Sequence, residues 1–285
     1  MPFVKVGTEN SADIELYYED LGSGQPVVLI HGFPLSGHSW EKQTAALVDA
    51  GFRVIAYDRR GFGASGKPSK GYDYDTFAAD LNELIKALDL RDAVLCGFSM
   101  GSGEVTRYLS KYGSDRVSKA VLMGAIPPFL LKTDDNPEGV DASVFEGIKE
   151  QIARDRPSFF KGFFDNFFNT DKLGGIKIIG EKRITDEAVQ MSFNVAVQSS
   201  AIATLACVDA WLTDFRDDLP KINVPVLIIH GDDDRILPLA STSERLPALI
   251  KNSRIVVIEG GPHAINWTHA DKVNPPFLEF LREKN

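Results

Sequence analysis

An α/β fold, with a mostly parallel sheet and helices on both faces, is the architecture this sequence predicts. Two observations carry the expectation. Short, wholly apolar runs recur between helical patterns, and such runs fit strands buried on both faces rather than half-exposed ones. The chain has 285 residues, 44% of them hydrophobic and 25% charged. That size suits one large α/β domain with an inserted subdomain better than two independent domains.

The elements follow in order. In the first thirty residues, Ile14-Glu15-Leu16-Tyr17-Tyr18 alternates and predicts an antiparallel edge hairpin. Val27–Ile30 is a strand ending at His31-Gly32, and Phe52–Tyr57 is another ending at Asp58. Between them Trp40, Leu47 and Val48 share a helical face, with Gly51 as the stop. Phe77, Leu81, Leu84, Ile85 and Leu88 mark an amphipathic helix that Asp75 is expected to cap. Ala93–Cys96, Ser118–Met123, Val224–Ile229 and Arg254–Ile258 complete the strands. From about Pro127 to Pro220 the strand rhythm stops and the pattern turns helical. This stretch holds "RPSFFKGFFDNFF", whose six phenylalanines, Phe159 to Phe168, cover about half of a helix cylinder at 100° per residue. One use of so wide a stripe is deep packing on neighbouring helices. The other is that one flank, with Phe163 and Phe167, joins Pro34 in lining an apolar substrate pocket.

Composition narrows the partners. A formal net charge of −9 without a Lys/Arg-rich block argues against nucleic acid. The start, MPFVKVGTEN, has neither a basic nor an apolar leader region, and no apolar run approaches bilayer length. Cys96 and Cys207 stand far apart, with neither metal-ligand spacing nor a disulfide framework. A soluble cytoplasmic protein, with no metal, no cofactor and no membrane partner, is the expectation.

The chemistry centres on Gly97-Phe98-Ser99-Met100-Gly101, set between an apolar strand and a helical pattern. In that context Gly-X-Ser-X-Gly is a sharp turn that exposes a serine Oγ at the carboxyl end of the sheet. Glycines are required there because side chains would collide with the neighbouring strand and helix. Serine needs a base, and the base needs an orienting acid. Of His31, His38, His230, His263 and His269, the first and third end strands before a glycine and read as structural. His263 lies in a Gly-Gly-Pro loop after the last strand, at the edge that carries Ser99. The acid comes from Asp232, Asp233 or Asp234; loop length before Pro238 favours Asp234, and the order Ser…Asp…His fits the hydrolase pattern. An oxyanion hole needs two N–H groups. Met100 opens a helix and supplies one; Phe33 supplies the second, because Pro34 has no N–H and restricts the residue before it.

The segments "HGFPLSGHSW", "YDRRGFGASGKP", "GFSMGSGEV", "TDFRDDLP", "HGDDDRILP" and "GGPHAINWTHAD", in this order, resemble the α/β-hydrolase fold. More narrowly, the chain is similar to the cofactor-free bacterial chloroperoxidase/bromoperoxidase branch, which merges into arylesterases and γ-lactamases. The resemblance implies an eight-stranded sheet, with a core of residues 1–128 and 221–285 and a helical cap over 129–220. It implies Ser99, Asp234 and His263 as triad and Phe33 and Met100 as oxyanion hole. It further implies an acyl-enzyme that water or hydrogen peroxide can attack, the peracid then oxidising halide. Pro34 resembles the perhydrolase-prone members, in which the carbonyl at the Phe33 position is taken to hold the peroxide. Two departures stand out. Ser102 occupies a usual glycine position, and "VNPPFLEF" is expected to break a last helix and unsettle any homo-oligomer contact there. The expected function is a serine hydrolase of small esters, and of amides or lactams, with perhydrolase activity. A carbon–carbon bond hydrolase with the same triad and a non-catalytic binder are the alternatives. Haloalkane dehalogenases and epoxide hydrolases would need a carboxylate where Ser99 stands.

Overall fold

The computed structural model of the chain describes residues 2–173 and 183–284. Its strands are β1 (Phe3–Glu9), β2 (Ala12–Gly22), β3 (Pro26–Ile30), β4 (Arg53–Tyr57), β5 (Ala93–Phe98), β6 (Val117–Met123), β7 (Val226–Gly231) and β8 (Ser253–Ile258). They form one sheet in the order β1-β2-β4-β3-β5-β6-β7-β8. β1 and β2 make the antiparallel hairpin at one edge, β2 runs antiparallel to β4, and every later pair is parallel. Every residue of β3, β5 and β7 is buried, as strands covered on both faces must be.

Helices fill the crossovers. α1 (Glu41–Asp49) follows β3, α2 (Tyr74–Ala87) follows β4, and α3 (Met100–Tyr112) starts directly after Ser99. Between β6 and β7 lie α4 (Ala142–Phe168), α5 (Thr170–Leu173), α6 (Asp186–Val197) and α7 (Ala201–Ala210). α8 (Leu246–Leu249) precedes β8, and α9 (Ile265–Thr268) and α10 (Ala270–Arg282) follow it. No single helix among the described residues is long and apolar enough to cross a membrane. Cys96 and Cys207 are both buried and free.

α4 is two helices joined at a break. Asp155 is extended (φ −160°, ψ 88°), and its Oδ1 accepts the Ser158 N–H at 3.0 Å, restarting the helix. Pro157 sits in the first turn of the second piece, where its missing N–H leaves nothing unpaired. That second piece carries the phenylalanine stripe.

Two local expectations are corrected. The cap of α2 is Asp73, which accepts the Thr76 N–H at 2.8 Å; Asp75 lies inside the first turn and pairs with Arg107. An aspartate suits either position, so composition could not separate them. α10 is also continuous through Pro275 and Pro276. The carbonyls those prolines leave without a donor belong to Asp271 and Lys272, which are exposed to water, while Val273, Phe277, Phe280 and Leu281 hold the buried face.

Behind the carboxyl ends of β3 and β4 lies a buried charge pair. Arg59 Nε bonds Glu104 Oε2 at 2.7 Å, with side-chain exposures of 1% and 0%. The Tyr57 hydroxyl also donates to Glu104, and Arg59 donates Nη2–H to the His31 carbonyl and its own N–H to His31 Nε2, both at 2.9 Å. The pair thus ties α3 to the loop that begins at His31. Glu104→Ala removes the counter-charge of a fully buried guanidinium and is expected to destabilise the fold by about 3–5 kcal/mol. Urea denaturation should show a lower midpoint at unchanged slope.

Candidate active site

Ser99 sits where β5 turns into α3, at φ 54° and ψ −121°, a conformation that a residue with a Cβ adopts only when its surroundings force it. The forcing is close backbone approach. A Cβ on Gly97 would lie 2.3 Å from the Gly101 carbonyl oxygen, and one on Gly101 would lie 2.3 Å from the Ile30 carbonyl oxygen. Ser102 fits among these contacts and adds to them: its hydroxyl donates to the Ser99 carbonyl at 2.5 Å and accepts the Ile126 N–H at 3.0 Å. The residue that departs from glycine thus fastens the turn to the chain after β6.

His263 lies in the loop between β8 and α9, almost fully buried, with Nε2 2.9 Å from Ser99 Oγ and Nδ1 2.7 Å from Asp234 Oδ2. The carboxylate can only accept, so Nδ1 carries the hydrogen and Nε2 is left to receive the serine proton. The rings of Phe98 and Phe167 flank His263 at 5.0 and 5.1 Å. Three successive aspartates have separate partners. Asp232 accepts the Gly260 N–H at 2.7 Å, and Asp233 takes Lys172 Nζ at 2.6 Å and Asn169 Nδ2 at 2.9 Å. Asp234 accepts the N–H groups of Ile236 and Leu237 on Oδ1, both at 2.8 Å. Burial alone would push its carboxyl up, but the charge of His263 and hydrogen bonds from His230 and His263 outweigh that and hold it well below the usual carboxylate range.

The loop after β3 passes directly beside the serine: a Cβ on Gly32 would lie 2.8 Å from Ser99 Cβ. A tight turn closed by Leu35 N–H onto the Gly32 carbonyl at 3.0 Å carries the cis Phe33–Pro34 peptide. His31 steadies it, donating Nδ1–H to the Gly32 carbonyl at 2.8 Å while burial, with Arg59, keeps its ring neutral. Among the described residues, neither the Phe33 nor the Met100 N–H has a protein acceptor; Met100 follows Ser99 directly, and Phe33 follows Gly32, which packs against Ser99.

A cavity of about 200 Å³ reaches Ser99. Its wall is apolar, formed by Phe33, Ile126, Leu130, Ile148, Phe163 and Trp211 among others. Arg235 is the one charged group in its lining among the described residues, and Asp171 holds both of its terminal nitrogens at 2.9 and 3.1 Å. The phenylalanine stripe divides between the two expected uses. Phe160, Phe164, Phe167 and Phe168 are buried in packing, whereas Phe159 and Phe163 face the cavity. Phe167 and Pro34 therefore lie outside this lining. Phe167 is wedged between His263 and Phe98, and the Phe33 ring, 4.8 Å from Trp211, covers the wall where Pro34 was expected. Among the described residues, no group of three or more His, Cys, Asp and Glu side chains is arranged to hold a metal ion.

Sequence reading missed several contributors. The end of α4 braces both loops: Asn169 Nδ2 donates to the Asp233 carbonyl at 2.9 Å, and the Phe167 carbonyl accepts the Ala264 N–H at 3.0 Å. His230, read as structural, has Nε2 3.1 Å from Asp234 Oδ2. Its four-residue spacing from Asp234 was visible, but a strand-ending histidine carries no sign of which way its ring points.

Comparison with known proteins places the fold in a family. A family model described as the alpha/beta hydrolase fold matches residues 25–270. The chain is 67% identical over 282 residues to a putative non-heme chloroperoxidase of Synechocystis sp., covering 99% of this chain and all of that one. It is 34% identical to a bifunctional esterase/perhydrolase of Acinetobacter calcoaceticus, over 94% and 96% of the two chains. A crystal structure of bromoperoxidase from Bacillus anthracis superposes with a TM-score of 0.93 at 46% identity, covering 99% of each chain. The chain belongs to the alpha/beta hydrolase fold family, on its non-heme chloroperoxidase branch.

Proposed function

We propose that this enzyme hydrolyses small esters with apolar acyl groups through an acyl-enzyme on Ser99, and that hydrogen peroxide competes with water for that intermediate. The observation that carries the reading is the row of hydrogen bonds from Ser99 through His263 to Asp234, beside two N–H groups without an acceptor among the described residues. In the proposed sequence His263 Nε2 takes the Ser99 proton as Oγ attacks the ester carbonyl. The Phe33 and Met100 N–H groups hold the oxyanion. As the intermediate collapses, His263 returns the proton to the leaving alcohol. Water then attacks the acyl carbon and gives the acid. Peroxide in its place gives a peracid, which transfers one oxygen to halide and is itself reduced to the acid. The similarity to a bifunctional esterase/perhydrolase and to non-heme chloroperoxidases supports both outcomes.

The helical stretch over 129–220 acts in this reading as the cap, and residues 1–128 and 221–285 as the core that holds the triad. The apolar cavity wall favours esters over the dienoates of carbon–carbon bond hydrolases. A substrate carboxylate would have to displace Asp171 from Arg235, the one charged group lining the cavity among the described residues.

Ser99→Ala is expected to abolish ester hydrolysis and peroxide-dependent halogenation together; halogenation that survives would require a second oxidative centre. Asp234→Asn should lower kcat by about 10⁴-fold through loss of the correct His263 tautomer. Asp232→Asn, at an exposed position whose carboxylate accepts the Gly260 N–H, should cost less than about tenfold, and the reverse order would exchange the two roles. Phe163→Ala deepens the acyl site, so the kcat/KM ratio of benzoyl to acetyl esters should rise about tenfold, as measured with matched p-nitrophenyl esters.

A further inference from the structure

His230 ends β7, four residues before Asp234, and its ring is fully buried. Its Nε2 faces two acceptors, the Leu237 carbonyl at 2.8 Å and Asp234 Oδ2 at 3.1 Å. An unprotonated nitrogen there would set its lone pair against two oxygens, so Nε2 carries the hydrogen in either charge state of the ring. In the neutral ring Nδ1 then accepts from the Ser243 hydroxyl, 2.6 Å away. Asp234 thus receives four donors. Two address Oδ1, and the other two, from His230 and His263, share Oδ2.

We propose that His230, backed by Ser243, is a positioning residue that shares Asp234 Oδ2 with His263 and thereby sets the basicity of His263. The proposal rests on the reading of Ser99, His263 and Asp234 as a triad. A hydrogen bond donated to Oδ2 draws charge from the atom that the His263 Nδ1–H addresses. Protonated His263 is then held less strongly, and the ring stays neutral and able to take the Ser99 proton down to lower pH. The Ser243 hydroxyl, donating into Nδ1, polarises the ring and makes Nε2–H the better donor.

Other charged groups nearby are engaged elsewhere. On the same loop Asp232 bonds the Gly260 N–H, Asp233 pairs with Lys172, and Arg235 with Asp171. On β6, Lys119 bonds the Phe280 and Leu281 carbonyls of α10; on β8, Arg254 pairs with Glu283. After Ser243, Glu244 is exposed and Arg245 lies 3.9 Å from Glu138. His263 is left as the titratable group that shares the carboxylate with His230.

The test is the pH dependence of kcat/KM for p-nitrophenyl acetate, from about pH 5 to about pH 9, whose acid limb reports protonation of the base in the free enzyme. In His230→Leu the limb should move up by about one unit, a roughly tenfold relative loss on the acid side that fades on the alkaline side. Ser243→Ala should move it the same way by less. His230→Gln, whose amide can donate to Asp234, should stay near wild type. A limb that coincides with wild type in folded His230→Leu overturns the proposal, even if the plateau rate falls. Should His230→Leu not fold, an unmoved limb in Ser243→Ala overturns it. Activity remaining in Ser99→Ala would instead overturn the triad reading on which the proposal rests.

Discussion

The close crossing of β5, α3 and the end of β3 is the constraint on which the site depends. The carbonyls of Ile30 and Gly101 stand where side chains would otherwise be, and this closeness holds Ser99 at a positive φ. Any looser packing would let the serine relax into the helix and withdraw its Oγ from His263. The same crossing brings Gly32 against Ser99 and starts α3 directly after it. The Ser99 side chain, the start of α3 and the loop after β3 are thus set by one packing event rather than by separate loops. The buried Arg59–Glu104 pair reinforces it, because it joins α3 to the His31 end of β3 through bonds that water cannot reach.

Much of this was legible in sequence because the signals are local. Six apolar runs became strands within one to two residues; β3, β5 and β7 among them are wholly buried, and a strand buried on both faces tolerates little but apolar side chains. Gly-X-Ser-X-Gly announced its own geometry, and the spacing of Asp234 from Gly231 and Pro238 pointed to the residue that meets His263. What failed depends on the third dimension. Asp73 and Asp75 are equivalent as letters, and only the backbone decides which one caps α2. Pro275 and Pro276 look like breakers, yet the residues whose carbonyls they leave without a donor are exposed, and the helix persists. The six phenylalanines gave a stripe but not the line along which packing ends and the cavity begins. His230 resembled a structural histidine because the carboxylate beside it lies beyond a turn.

The second piece of α4 belongs to two structures at once. At one end Phe159 and Phe163 line the cavity; at the other, Phe167 and Asn169 hold the loops of His263 and Asp234. Lys172 and Asp171, just beyond, pair with the residues on either side of Asp234. The Asp234 loop is therefore gripped from outside the sheet as well as from within it. This grip explains how a segment of three consecutive aspartates brings only one of them, Asp234, to His263.

The break at Asp155 gives that arrangement a mechanical meaning. Because the helix restarts there, the piece from 156 to 168 is a short rigid rod with its own anchorage, uncoupled from the preceding turns. Evolution can then reshape the cavity along two routes of unequal freedom. Exchanging side chains at Phe159 or Phe163 alters the shape of the wall while the rod keeps its seat. Tilting or sliding the rod would drag with it the footing of the loops that carry Asp234 and His263. Changes of substrate in this lineage should therefore accumulate as side-chain replacements on the rod, and as movements of the half before the break, which packs on α7 rather than on the loops of Asp234 and His263.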